Sequence, residues 1–408
     1  MNSRIGVSPW IFLVMLAMHV AGVRAQVPEP LDQPNLSIAG YVLAVAKQPD
    51  GGIILGGKFT SVNGVARSNL ARLLPDGTLD PDWNPSPNSY TVQALATDDE
   101  GQVYVAGEFS QIGGQTRNGL ARLSAGGTGL ADANWNPSPP SGFGLIYTIA
   151  LSKNGYLYVT NSTVLVRFAT DATGSLDITW NPTIGGSVYS ILPVTDGNIY
   201  VGGHSLQNNG AGCLARISES GAGAIDTSWQ GDGTLLGCSS VSAIATDGNA
   251  FFVAGVFHAM GQDHFSLAKI LPQGTGSLDS TWTVGMPNNI SGFVNSMAYD
   301  GHGSIYAGGT FNSICDGVAC DARAGLAKLS TASPGTVDAI WNPAVTQPGY
   351  YWKSVVVSAN GTGLIVTGGN TPLVGGTMLL GTQTRVGVAV LPIQEGPIFQ
   401  DGFESPGP

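Results

Sequence analysis

The stretch LDPDWNP, residues 79–85, is written again downstream as LADANWNP, LDITWNP, IDTSWQG, LDSTWTV and VDAIWNP. Its tryptophans are Trp83, Trp135, Trp180, Trp229, Trp282 and Trp341, at steps of 52, 45, 49, 53 and 59 residues. A phrase returning at such spacing marks a repeat architecture, in which each unit buries its apolar faces against its neighbours.

Residues 90–137, YTVQALATDDEGQVYVAGEFSQIGGQTRNGLARLSAGGTGLADANWNP, show what one unit contains. VQALAT and QVYVAGEF are short β-type runs either side of Asp99-Glu100-Gly101, which predicts a hairpin. The same turn recurs at Asp50-Gly51, Asn154-Gly155, Asp196-Gly197, Asp247-Gly248, His302-Gly303 and Asn360-Gly361. NGLARL predicts a third strand, with counterparts NLARL, VLVRF, CLARI, SLAKI and GLAKL, and the LDxxW phrase predicts a fourth. Strands apolar at nearly every residue belong to sheets covered on both faces, as in a β-propeller. The first strand of each unit is rich in small residues, among them Ala44, Ala46, Ala94, Ala96, Ala150, Ala243, Ala245 and Ala298, as the crowded axis of such a ring requires.

Seven units follow, beginning near Tyr41, Tyr90, Leu145, Ser187, Cys238, Gly292 and Tyr350. The expected fold is all-β: a seven-bladed β-propeller of four-stranded antiparallel blades. The seventh unit lacks LDxxW, while Leu31-Asp32 stands 48 residues before Leu79-Asp80. The N-terminal segment is therefore expected to supply the last blade's outer strand and close the ring, removing exposed sheet edges.

Composition agrees with one large β assembly. Of 408 residues, 59 are Gly, 43% are apolar and only 11% are charged, which excludes a disordered chain. Residues 1–25 read as a signal peptide: Arg4 opens it, Trp10 to Val20 form its apolar run, and Val23-Arg24-Ala25 offers a cleavage site. An anchor left uncleaved is the alternative. Residues 26–396 are assigned to the propeller and 397–408 to a C-terminal tail. Removing Arg4 and Arg24 from the 16 cationic residues leaves 14 against 27 acidic ones, or −13. Such a surface excludes nucleic acid as a partner. No second long apolar run argues for stable membrane insertion, and a monomer is expected. The four cysteines suggest disulfides in an exported chain, Cys315 with Cys320 and Cys213 with Cys238, although the sequence leaves the connectivity open. A zinc site competes, but no His stands at ligand spacing beside these cysteines.

The segment AVAKQPDGGIILGGKFTSVNGVARSNLARLLPDGTLDPDWNP resembles the delta-60 repeat, a β-propeller repeat of bacterial exported and surface proteins. The first two units resemble it most, the fifth and sixth less, and the third departs where YVTNSTVLVRF drops Gly-Phe and most of a loop. The resemblance implies a propeller at a bacterial surface, in the periplasm or secreted, and brings no catalytic residue with it. The ending IFQDGFE resembles a short terminal signature of some exported Gram-negative proteins.

Two charged columns repeat with the scaffold: Arg72, Arg122, Arg167, Arg216, Lys269 and Lys328 on the third strand, and Asp80, Asp132, Asp177, Asp226, Asp279 and Asp338 before the tryptophans. Pairing across adjacent outer strands, or between blades, makes them structural, and the regular tryptophans read as inter-blade packing rather than sugar platforms. Gly52-x4-Gly57-Lys58 has Phe59 where a phosphate loop needs Ser or Thr, and neither GxSxG nor HExxH occurs. No cofactor is expected. Departures from the repeat are the candidate binding loops: Phe143 in SPPSGFG, Asp316 in the enlarged loop of unit six, and Tyr350, Tyr351 and Trp352 before unit seven. The expected role is a binding or interaction module for a protein or carbohydrate ligand, against a glycan-directed hydrolase or lyase working through carboxylates, or a purely structural surface protein.

Overall fold

The computed structural model describes residues 36–206, 212–229, 231, 235–259, 264–287, 292–317 and 319–343, with the strand backbone at 351–357, 363–369, 377–380, 383–386 and 388–392. Residues 1–25, Leu31, Asp32, Tyr350 and the 397–408 tail lie outside the described residues. Among the described residues every regular element is a β-strand.

Seven sheets share one plan of inner, middle and outer strand, all antiparallel. The first is Ile38–Lys47, Ile53–Val62 and Leu70–Leu73, and the second Thr91–Thr97, Val103–Glu108 and Leu120–Leu123. The third is Thr148–Leu151, Tyr156–Thr160 and Leu165–Ala169, and the fourth Ser187–Pro193, Asn198–Leu206 and Gly212–Ser218. The fifth is Leu235–Thr246, Phe251–Ala259 and His264–Leu271, the sixth Val294–Tyr299, Ser304–Gly309 and Leu326–Ser330, and the seventh Tyr351–Val357, Gly363–Gly369 and Val388–Pro392. Inner and middle strands are joined by tight turns; Gly101, with φ 79°, supplies the left-handed residue that such a turn needs.

The predicted fourth strand is much shorter than the sequence suggests. In five units it is a single bridging residue, Leu79 to Leu73, Ala131 to Leu123, Leu176 to Phe168, Ile225 to Ile217 and Val337 to Leu329. In the fifth unit it is the two-residue strand Ser277–Leu278. The reason is the Asp that follows, whose side chain turns the backbone out of the ladder. Asp80 Oδ1 accepts from the N–H groups of Asp82 (3.0 Å) and Trp83 (3.2 Å), and Asp177 Oδ1 holds Thr179 and Trp180 in the same way. This turn carries each tryptophan into the interior.

All six indoles are at most 1% exposed. Trp135 meets the Tyr104 ring of its own sheet edge-on at 5.3 Å, and its Nε1–H donates to Ala169 O of the next sheet at 3.0 Å. Trp83 reaches Ser124 O, Trp180 reaches Ser218 O and Trp282 reaches Ser330 O by the same step to the next unit. The next unit receives the indole with a glycine: a Cβ on Gly129, Gly174, Gly223, Gly276 or Gly335 would stand under 3.0 Å from the preceding tryptophan. Each of these glycines lies three residues before the Asp of its own unit, so the working motif is G-x-x-D-x-x-W.

Close backbone approach also governs the inner strands. In six of the seven sheets the inner strand slips register by one residue, between Val42 and Ala44, Val92 and Ala94, Val188 and Ser190, Val241 and Ala243, Val294 and Ser296, and Trp352 and Ser354. Opposite several of these bulges stands a middle-strand glycine with no room for a Cβ: on Gly107 it would come within 2.3 Å of Thr91 O, and on Gly309 within 2.0 Å of Phe293 O. Each inner strand packs against the inner strand of the next sheet, and that of the seventh also packs against that of the first.

One junction differs. After Trp282 the chain forms a strand, Val284–Pro287, paired with the outer strand of sheet five on one side and with Ser313–Asp316 of unit six on the other. Ser313–Asp316 forms a hairpin with Ala319–Ala322, closed by the Cys315–Cys320 disulfide. Cys213 and Cys238 form the other disulfide, between sheets four and five.

Two substitutions test the indole contact. Trp135→Ala is expected to lower stability by about 3–5 kcal/mol. Gly174→Ala, which places a methyl 2.8 Å from Trp135 Nε1 at a residue with φ 64°, is expected to cost roughly 1–3 kcal/mol in chemical denaturation.

Candidate functional site

The charged columns meet as pairs within each sheet. Asp80 N–H donates to Arg72 O (2.9 Å) while Arg72 Nη1 donates to Asp80 Oδ2 (2.7 Å). The same double contact joins Arg122 to Asp132, Arg167 to Asp177, Arg216 to Asp226, Lys269 to Asp279 and Lys328 to Asp338. The cation also reaches the next sheet. Arg122 Nη1 donates to Thr170 O (2.6 Å) and Lys269 Nζ to Thr331 O (2.9 Å), while Arg72 acts through Gln48, whose amide donates to Ala125 O at 3.0 Å. The two columns thus pair within a sheet, and the step to the next sheet is made by the cation to a main-chain carbonyl.

Each aspartate accepts from the cation with one oxygen and turns the chain with the other. For Asp177, burial raises the pKa, but hydrogen bonds from Thr179 and Arg167 outweigh it and hold the carboxyl at about 2. Ser228 and Arg216 bring Asp226 to about 2, and at Asp279 burial is overcome by Ser333, Thr281 and Lys269, again giving about 2.

A second arginine set, invisible in the column reading, sits five residues ahead of the first. Arg67, Arg117 and Arg323 are 5%, 3% and 4% exposed, and each donates from Nη2 to the carbonyl of its unit's aspartate, Asp80, Asp132 or Asp338. Their signal was R-x-x-x-x-[RK] in units one, two and six.

The candidate loops separate. Phe143 is 5% exposed and belongs to the cluster of Trp135 and Ile146, because the turn at Pro140 folds the ring inward, while its loop lines a cavity of ≈ 650 Å³ with Tyr90 and Glu108. Asp316 is partly buried and its Oδ2 accepts from Val337 N–H at 2.9 Å, a structural bond. Tyr351 and Trp352 open the inner strand of sheet seven, and their side chains, with Tyr350, lie outside the described residues. All four cysteines are bonded pairwise, which leaves none to ligate zinc.

What converges instead is the set of inner strands. Residues of sheets one to six line a common cavity of ≈ 780 Å³, including Leu43, Gln93, Tyr147, Tyr189, Ser242 and Asn295. Among its described lining residues none is Asp, Glu, Lys, Arg or His; the lining is aliphatic, hydroxyl, amide and phenol. A volume of this size suits a small ligand.

Several solved structures share this architecture. The WD40 beta propeller domain of Doa1 is 11% identical, with a TM-score of 0.54, and the match covers 91% of this chain and 97% of that one. The fold is a β-propeller. The propeller is also similar to virginiamycin B lyase from Staphylococcus aureus, in a catalytically inactive form with quinupristin, at 12% identity and a TM-score of 0.51, covering 88% of this chain and 99% of that one. The extracellular domain of BT4673 from B. thetaiotaomicron, described as a one component system, is 16% identical with a TM-score of 0.51; the match spans 90% of this chain and 40% of that one. In sequence, a family described as a domain of unknown function (DUF5122) beta-propeller matches residues 48–82 and 101–129, within units one and two. No curated protein matches the chain.

The ion pairs predict an acid limb. A carboxylate whose folded pKa is held near 2 against an ordinary 3.8 contributes stability above the unfolded value and loses it as pH falls through the folded one. Thermal stability is therefore expected to hold from neutral pH down to about 5 and to fall between about 4 and 2. Asp177→Asn should melt below the parent at neutral pH, with the gap narrowing near pH 2, by calorimetry.

Proposed function

We propose that the chain is an exported seven-bladed β-propeller that works as a binding module, taking its ligand in the cavity enclosed by the inner strands. The observation that carries this reading is the neutral polar lining formed by the cavity's described residues. Convergent uncharged donors and acceptors beside exposed phenols suit recognition, whereas acid/base hydrolysis needs a positioned carboxyl group. The lyase likeness is one of fold, and the hydrolase or lyase reading has no carboxylate in the described lining to build on.

The seven sheets are read as blades, each with an outer strand cut to a bridge, and the ring as closed by Leu31-Asp32 joining the last blade. Contact between the inner strands of sheets seven and one supports closure. Residues 1–25 act as the signal peptide, 26–396 as the propeller and 397–408 as a tail in the exported chain. Two disulfides suit an oxidising compartment outside the cytoplasm, and the fold occurs in an extracellular domain.

The mature chain, screened against immobilised glycans and peptides, is expected to show saturable binding that Gln93→Arg, a cation placed in the cavity wall, weakens by roughly tenfold or more without lowering the melting temperature. Binding unaffected by that change would move the site elsewhere. Turnover of the retained compound would favour the enzyme, and no retention of any class the structural protein.

A further inference from the structure

Apart from the central cavity, we propose a second site, a groove running across the first three sheets that binds an extended peptide carrying one basic and one acidic residue. The groove is made of two cavities with a common ridge. One, of ≈ 550 Å³, is lined by Tyr41 and Lys58 of sheet one, and the other, of ≈ 650 Å³, by Glu108 of sheet two and by Pro139 and Pro140 ahead of sheet three. Asn88 and Tyr90 line both, so the Tyr90 side of each cavity is continuous with the other.

The walls are set before any ligand arrives. On the ridge, Asn88 Oδ1 accepts from the N–H groups of Ser110 (3.1 Å) and Gln111 (2.7 Å), Asn69 Nδ2 donates to Ser89 O (2.8 Å), and Tyr90 N–H donates to Glu108 O (3.2 Å). The backbone there is held on both sides, yet the Tyr90 residue it carries is 72% exposed. On the far wall, the buried Phe143 ring roots the proline turn in the core, and Asn161 Nδ2 bonds Phe143 O. A groove fixed in this way spends little ordering entropy on binding.

The charges decide the class of ligand. Glu108 pairs across the sheet with Thr91, and Lys58 with Tyr41, each one step before the glycine that faces Val92 or Val42. The two therefore occupy equivalent positions on adjacent sheets, with opposite sign. Each is the one charged residue among the described lining of its cavity, is exposed, and joins no ion pair among the described residues. Glu108, with the Tyr90 ring beside it and prolines opposite, suits a Lys or Arg side chain, which gains an ion pair and a cation–π contact. Lys58 suits a carboxylate. Packed sheets stand about 10 Å apart, so one chain crossing the ridge meets both charges with its basic and acidic residues roughly three positions apart. A neutral saccharide would leave both charges without a counter-charge.

The test uses the full mature chain on an array of synthetic peptides in which one Lys and one Glu are set one to six positions apart, in both orders, beside neutral oligosaccharides. Retention is expected for one order at a separation of about three, weakened at least about tenfold in Glu108→Gln, Lys58→Gln or Tyr90→Ala by calorimetry. The double variant Glu108→Lys/Lys58→Glu should prefer the reverse order. Gln93→Arg in the central cavity should leave this binding unchanged, which keeps the two sites apart. Because the altered side chains are exposed, melting temperatures should match the parent. Retention with no preference of order, or indifferent to Glu108→Gln and Lys58→Gln, would overturn the proposal. So would an array silent for peptides, or neutral saccharides retained through Tyr90 in their place.

Discussion

An indole laid on a glycine of the following sheet is the contact on which the molecule depends. A sheet apolar on both faces has no solvent side, so its stability exists only through its neighbours. Trp135 shows how that dependence is made specific: it touches Tyr104 in its own sheet, bonds Ala169 O in the next, and occupies space that Gly174 leaves open. Spacing, orientation and order of the sheets follow from repeating this one arrangement.

The buried charges make sense only beside it. Arg122 is 7% exposed, and leaving such a cation without partners would be strongly unfavourable. It is partnered on both sides of a sheet boundary, by Asp132 and by the carbonyl of Thr170. The aspartate in turn shapes the chain that delivers the tryptophan. Cation, acid and indole are one device, which explains why they recur together.

Much of this was legible because a side chain needed in every unit must be spelled in every unit. The tryptophans, the spacing of Arg167 and Asp177 and the hairpin glycines could all be read that way, whereas the four cysteines recur in no other unit and left their connectivity open. Contacts to main-chain carbonyls such as Thr170 O could not, since every residue offers one. The short outer strand was hidden because Leu79 and Asp80 look like strand residues until the side chain of Asp80 is seen capturing the next two amides. Phe143 misled in the opposite direction: Pro and Gly around it suggest a surface loop, and the ring is nonetheless needed beside Ile146.

The seam between the fifth and sixth sheets has a different character from the rest. Four tryptophans, Trp83, Trp135, Trp180 and Trp341, are followed by Asn-Pro, and proline has no amide hydrogen to extend a ladder. Trp282 is followed by Thr283 and Val284, and there the chain continues into paired strand, with a covalent clasp at Cys315–Cys320 just beyond. Parting these two means tearing main-chain pairing as well as side-chain contacts, and parting the fourth from the fifth means breaking the Cys213–Cys238 disulfide. The molecule is thus mechanically uneven, with a block of the fourth to sixth sheets that outlasts its surroundings when the assembly loosens, and the earliest points of proteolytic entry lie away from it.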